Sequence, residues 1–371
     1  MQKLLERFKN LSSAQQLAAG GGAAVILILL VTALLLSGGG DGSQEEPSTT
    51  TTATTVAETT TTTEPETTTT TTPPEVTGQV WPLTGVTDPE AVPSAPILVA
   101  KIDNSPSSRP QTGLREADMV IEVLVEGGVA RFLAFYQSTI PIEIGPIRST
   151  REVDPKLIAP FGVVFAHSGG VDSNVQAIRE VAVDAGHPVL GAAAYARDPD
   201  RPAVYDLMLN PDPALELAGE TSGDIWFRFD QNLPEGGYEQ ALTVDVSMSP
   251  LTDLTYRWSS TDEGFLRFHG DKAHLDDTGE QVVVNNVLVL EVEQFDSGRT
   301  DGAGNPVPDY RVTGTGDAYL FRDGVAIRGT WERGSQDGFF RILDDDSQPI
   351  PLAPGSVWIE LMPNGRSLAW Q

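Results

Sequence analysis

Four arginines sit among carboxylates in the first half of the chain: Arg109, Arg131, Arg148 and Arg151, near Asp103, Glu122 and Glu126. A guanidinium presents a planar fork of donors, so such a group suits a carboxylate- or phosphate-bearing ligand. The same residues could instead pair among themselves and only fix loops. Asp103-Asn104 closes an apolar run, and Arg109-Pro110-Gln111 follows it. Gly145-Pro146-Ile147-Arg148-Ser149-Thr150-Arg151 reads as a stiff loop that carries two of the guanidiniums. His167-Ser168-Gly169-Gly170 ends another apolar run, and a glycine turn there could aim backbone N–H groups at an anion. A nucleophilic Ser168 is disfavoured, because neighbouring strand residues face opposite ways and the G-x-S-x-G elbow is absent. Glu122 and Glu126 would lie about 13 Å apart on a strand, too far for either glycosidase geometry. Asp103 with Glu122 across strands stays open as an acid–base pair. Asp296, Asp301 and Asn305 share an acidic, Gly-rich loop that lacks the closing Glu of an EF-hand, so no metal and no cofactor is expected.

These residues need elements to hold them. Ile97–Asp103, Asp118–Glu126 and Val129–Gln137 read as strands, the last two joined by a hairpin at Gly127-Gly128. Val163–His167 reads as a buried strand. A glycine turn and a helix capped by Ser173 follow it, with Val175, Ile178, Val181 and Ala182 as the apolar stripe. That is an α/β unit. From Leu242 onward the pattern becomes short alternating strands with a turn at every step. Asp323-Gly324 is the clearest two-residue hairpin turn. A β-sandwich or barrel is expected there. Trp258, Trp331 and Trp358 could line a sugar-binding face but are more often core residues.

Composition sets the setting. The 371 residues carry a net charge of −28 and no cysteine. A uniformly acidic protein repels polyanions, so nucleic acid is excluded as a partner. Without cysteine there are no disulfides, no thiolate metal sites and no acyl-carrying cysteine. Residues 17–36 form an uncharged apolar run long enough to span a bilayer. Lys3, Arg7 and Lys9 precede it, whereas residues 41–78 hold seven carboxylates and no base. The charge bias places the N-terminus in the cytoplasm and the rest outside. Thr-rich residues 48–77 cannot bury apolar surface and read as an extended stalk.

The runs IDNSPSSRPQTGL, EADMVIEVLVEGGVARFLAFYQS, IGPIRSTR and AHSGG resemble the YerB-like family of Gram-positive cell-surface lipoproteins of unknown function. The resemblance covers residues 80–371 and implies a two-domain protein of the cell envelope, without implying a reaction. Two departures stand out. The lipoprotein anchor has no cysteine here, and the His-Asn pair that many members carry before a Leu is replaced by Tyr205-Asp206.

The expected organisation is therefore α+β on a single transmembrane anchor. Residues 1–16 are a cytoplasmic juxtamembrane segment, 17–36 a signal-anchor and 37–78 a Thr/Pro-rich stalk. Residues 79–240 form an α/β-type domain and 241–371 a mostly β domain. The expected function is an extracytoplasmic accessory protein that binds an anionic cell-wall polymer or an envelope partner protein. A wall-modifying hydrolase using the same carboxylate and Arg cleft is the alternative. Asp103, Asn104, Arg109, Gln111, Glu122, Glu126, Arg131, Arg148, Arg151 and His167 are the candidate ligand-binding residues.

Overall fold

The computed structural model describes residues 78–371. No helix among these residues is long and apolar enough to cross a membrane, and the expected anchor and stalk lie outside them. The described part is mostly β with few helices, and it is built as two sheets.

The first half supplies β1 (Leu98–Asp103), β2 (Met119–Leu124), β3 (Ala130–Tyr136), a short helix α1 (Asp154–Ile158), β4 (Val164–Ala166), helix α2 (Asp172–Val181) and β5 (Val183–Asp184). The second half supplies β6 (Thr243–Ser249), β7 (Thr252–Ser259), β8 (Gly264–His269), β9 (Asn286–Thr300), β10 (Gly314–Arg322), β11 (Val325–Arg333), β12 (Val357–Pro363) and β13 (Ser367–Trp370). In the larger, twelve-stranded sheet the main order is β11-β10-β9-β12-β2-β3-β1-β4-β5. In the smaller, six-stranded sheet β8, β7, β6 and β13 lie side by side.

Strands β1, β2, β3 and β12 are buried along their whole length. Their runs of Val, Ile, Leu and Phe follow from that, since both faces of the sheet are covered. The hairpin at Gly127-Gly128 is present, and both glycines adopt positive φ. The Asp323-Gly324 turn is present too, with φ of 51° and 72° joining Arg322 to Val325. Those are the angles of a type I′ turn, which matches strand twist.

The α/β character of the first half comes down to one parallel unit, β4-α2-β5, on an otherwise mainly antiparallel set of strands. Ser173 does not cap α2. Val171 holds that position with no side-chain cap, and the Ser173 hydroxyl instead accepts from Arg299 at 3.1 Å.

The join between the halves is backbone pairing. Val357–Glu360 of β12 run parallel to Met119–Glu122 of β2 in direct register. One sheet therefore passes from the first segment into the second without a break. Cut between the segments, β2 would present a bare row of N–H and C=O groups on an apolar strand, a template for aggregation. Residues 79–371 should accordingly melt in one cooperative transition, and 79–240 expressed alone should be insoluble or molten by circular dichroism. A well-folded 79–240 fragment would show that the pairing is dispensable.

Candidate functional site

Strand register decides where each candidate residue points. Asp103 lies opposite Arg131, and Lys101 opposite Leu133, so these four share one face of the large sheet. Glu122 lies opposite Phe132 and, on its other side, Glu360, which puts it on the reverse face. Asp103 and Glu122 are thus separated by the sheet and cannot act as an acid–base pair. Nine of the ten candidates divide into two clusters, with the sheet between them.

The first cluster is sealed under the small sheet. Glu122, Glu360, Tyr256, Arg267 and Gln111 are each 0% exposed, and Asn104 and His274 are 2% exposed. The Arg267 guanidinium pairs with Glu122 and donates to Tyr256 Oη at 3.0 Å. It also donates to His274 Nδ1 at 2.6 Å and His269 Nε2 at 3.0 Å. Arginine has only donors, so both histidines must accept, and His274 is left with its Nε2–H for Gln111 Oε1 at 2.9 Å. Asn104 donates to Glu122 at 2.7 Å, and Arg109 donates to Asn104 Oδ1 at 3.0 Å. Trp358, Phe132 and Tyr256 surround the guanidinium with aromatic faces 4.7, 5.4 and 5.7 Å away. Arg109 sits at the edge, its pKa lowered to about 10 by burial and by the Arg267 charge.

Protonation in this cluster follows from geometry. Burial and then Arg267 push both His269 and His274 far below the usual histidine value, so both are neutral. Burial, followed by the Glu122 charge, pushes Glu360 well above the ordinary carboxyl range. Glu360 Oε2 accepts from nothing among the described residues. A proton on Glu360 resolves this, because the acid can donate to the neighbouring Glu122 carboxylate while Tyr256 donates to its other oxygen. One arginine, one carboxylate and one carboxylic acid balance.

The second cluster lies on the opposite face. Buried Lys101 pairs with buried Asp154 at 2.7 Å, and its pKa is lowered to about 8, chiefly by burial. Arg148 pairs with Asp103 at 2.5 Å and Arg151 with Glu126 at 2.7 Å. Arg131 has no such partner among the described residues. It is 7% exposed, it donates to Ser149 O at 2.8 Å, and its Nε has no acceptor among the described residues. Arg151 Nη1 converges on the same carbonyl at 3.2 Å. Burial, with Arg151 and Arg148 adding to it, lowers the Arg131 pKa to about 10. Ser149 and Ser168 place their hydroxyls 3.2 Å apart beside it. A cleft of about 310 Å³, lined in part by Glu126, Ser149, Arg151 and Arg299, opens at this end of the sheet. Tyr205 stacks under Arg148 at 5.3 Å.

His167 belongs to neither cluster. It is fully buried, accepts Gly169 N–H at Nδ1 (3.0 Å) and meets Asp184 through Nε2 at 3.0 Å. Burial alone would raise the Asp184 pKa, but the Gly186 amide, Arg179 and His167 outweigh it and hold it low. Asp118 accepts the amides of Gln137 and Ser138 at 2.6 and 2.8 Å. Arg267, Glu360, Tyr256 and His274 were not among the candidates. For Arg267 and Glu360 a signal was present, a charged residue among the apolar residues of GFLRFH and VWIELMP, whereas Tyr256 and His274 carried none.

Two halves of one family cover this architecture. Residues 83–223 match "Protein of unknown function (DUF3048) N-terminal domain", and residues 244–359 match the C-terminal domain of the same family. The chain belongs to this YerB-like two-domain family. It is similar to "Putative lipoprotein YerB" of Bacillus subtilis (strain 168), with 28% identity over 298 residues, 76% of this chain and 86% of the relative. The crystal structure of YerB protein from Bacillus subtilis matches with a TM-score of 0.67 and 25% identity, covering 78% of this chain and 99% of that one.

The sealed cluster sets two measurable stabilities. Arg267→Met strands Glu122 and should cost about 3–5 kcal/mol, whereas Arg267→Met with Glu122→Gln should recover much of the loss. For Glu360, the folded state holds its proton more tightly than the unfolded chain. Stability is therefore full below the ordinary carboxyl pKa of 4.5 and declines as pH rises above it. Glu360→Gln should flatten that decline between pH 5 and pH 8 and raise the melting temperature at the upper end. An unchanged slope in chemical-denaturation curves would place the proton elsewhere.

Proposed function

We propose that this protein is a cell-envelope accessory protein, held at the outer face of the membrane, whose folded part binds an anionic group of the cell wall. The observation that carries this is the unpaired, buried Arg131, which shares the Ser149 carbonyl with Arg151 beside Arg148. Against a net charge of −28, a spot where guanidiniums outnumber their carboxylate partners is a place prepared for an anion. Ser149 and Ser168 are hydrogen-bonded to each other, which leaves one hydroxyl proton of the pair free to donate at the same place. Similarity to "Putative lipoprotein YerB" supports the envelope location. The sequence has no cysteine to carry an acyl chain, so the anchor in this proposal is the apolar run 17–36.

A wall hydrolase fits less well. Glu122 and Glu360 are adjacent carboxyl groups, and both are fully buried beneath the small sheet, where no glycan can reach them.

The test uses purified Gram-positive cell walls, intact and after hydrofluoric acid removes their phosphodiester-linked polymers. The wild-type chain should sediment with the intact walls. Arg148→Ala/Arg151→Ala should lose at least about tenfold in affinity, as expected for charge-assisted hydrogen bonds worth ~1.5–3 kcal/mol each. Because the substitutions also unpair Asp103 and Glu126, whose side chains are 3% and 9% exposed, its melting temperature should fall, and binding is compared at a temperature where circular dichroism shows the variant folded. Retention after acid treatment would assign a peptide carboxylate, and loss would assign a phosphate. No binding by the wild-type chain would overturn the wall reading in favour of a partner protein.

A further inference from the structure

A second site lies away from the arginine cluster, at the open end of the two-sheet stack. On β7 the residues Leu254, Tyr256 and Trp258 alternate onto the inner face. The first two are 0% exposed, whereas Trp258 emerges half-buried where the sheets part. Its indole rests edge-to-face on Phe265 at 5.2 Å and lies so close to Gly324 that an added Cβ would meet Trp258 Cδ1 at 3.0 Å. The rest of the ring borders a cleft of about 580 Å³ whose walls include Gln231, Ser260, Glu263, Asn285 and Asp323. Trp331 and Trp358, by contrast, are 2% exposed and belong to the core.

The polar groups around the indole are held in place from behind. Fully buried Arg322 donates to Asp230 O at 2.8 Å and Gln231 O at 3.1 Å, and pairs with Asp323 at 2.6 Å. One guanidinium thereby locks both the Gln231 loop and the Asp323 turn. Asn285 accepts from Ser356 N at 2.9 Å and donates to Glu263 O at 3.1 Å. Glu263 has φ of 49°, a left-handed conformation that glycine or asparagine would adopt more cheaply. The fold thus spends strain to set a glutamate at the rim. Among the described residues, nothing accepts from the Trp258 indole N–H, and the Gln231, Ser260 and Glu263 side chains have no hydrogen-bond partner. Fixed backbones carrying free polar tips around an aromatic plate are the composition of a preorganised binding site.

We propose that this cleft binds a pyranose-containing saccharide. The C–H face of one sugar ring stacks on Trp258, and Gln231, Ser260, Glu263 and Asp323 take its hydroxyl or amide groups. Carboxylates and amides can accept from or bridge neighbouring ring hydroxyls, and the flat indole supplies apolar area that a hydrated sugar otherwise leaves exposed to water. The cleft volume lies within the range of about 300–1,000 Å³ usual for small-ligand sites. The site is independent of the anion reading above.

The probes are tetra-N-acetylchitotetraose and cellotetraose, titrated calorimetrically into the full chain in a sugar-free detergent. At least one should bind, with a dissociation constant of about 1 mM or tighter. Trp258→Ala should weaken binding at least tenfold, and Glu263→Gln and Gln231→Ala, both on exposed side chains, should weaken it severalfold without moving the melting temperature. If Trp258→Ala fails to fold, the two rim variants decide the matter. Arg148→Ala should leave saccharide binding untouched, so failure here and failure of the anion site are distinguishable. Absence of binding to both probes at 5 mM, or binding indifferent to all three substitutions, would overturn the proposal.

Discussion

A single arginine placed between two sheets constrains most of this structure. Arg267 is buried with no route to water, and a guanidinium in that setting must have its donors satisfied and its charge balanced. Glu122 from the first half of the chain supplies the charge, and Tyr256, His269 and His274 supply acceptors. Three of those four are held by something else: Glu122 by Asn104, His274 by Gln111, Tyr256 by Glu360. The network reaches from the loop after β1 to the penultimate strand. It can close only when both sheets are in their native register, so it reports on register rather than simply adding stability.

The large sheet separates two kinds of polarity. On one face the charges are enclosed, mutually satisfied and rimmed by aromatic rings. On the other, Arg151 lines a cleft, and Arg131, which shares the Ser149 carbonyl with it, lacks a carboxylate among the described residues. Because β-strand side chains alternate, residues adjacent in sequence serve these different purposes: Asp103 belongs to the open face and Asn104 to the closed one. Function and scaffolding are interleaved along the same short segments.

Much of this was legible in the sequence where the signal is local. The hairpins at Gly127-Gly128 and Asp323-Gly324 were readable because positive φ demands particular residues. The pairing of arginines with nearby carboxylates was readable for Arg148 and Arg151. What depends on strand order was not. Nothing in MVIEVL says that its neighbour will be VWIELMP from near the other end of the fold, and parallel pairing leaves no turn between the partners to mark it. Whether Glu122 faces Asp103 or Glu360 is likewise a question of register, and a shift of one residue reverses the answer. The clue that did exist was energetic. A glutamate or arginine amid core residues requires a buried partner, so Glu122, Arg267 and Glu360 could have been sought as a set.

The parallel joint between β2 and β12 also bears on biogenesis. A chain emerging N-terminus first presents Met119–Leu124 long before Val357–Pro363 is available to cover it. For that interval the centre of the large sheet has an open apolar edge, and Glu122 has a charge but no arginine. Long-range closure of this kind is slow and leaves intermediates prone to association. Folding is thus deferred until almost the whole chain has emerged. During that delay the protein would depend on chaperones and be vulnerable to proteases. Truncation before Val357, which removes β12 together with β13, would leave that vulnerability permanent.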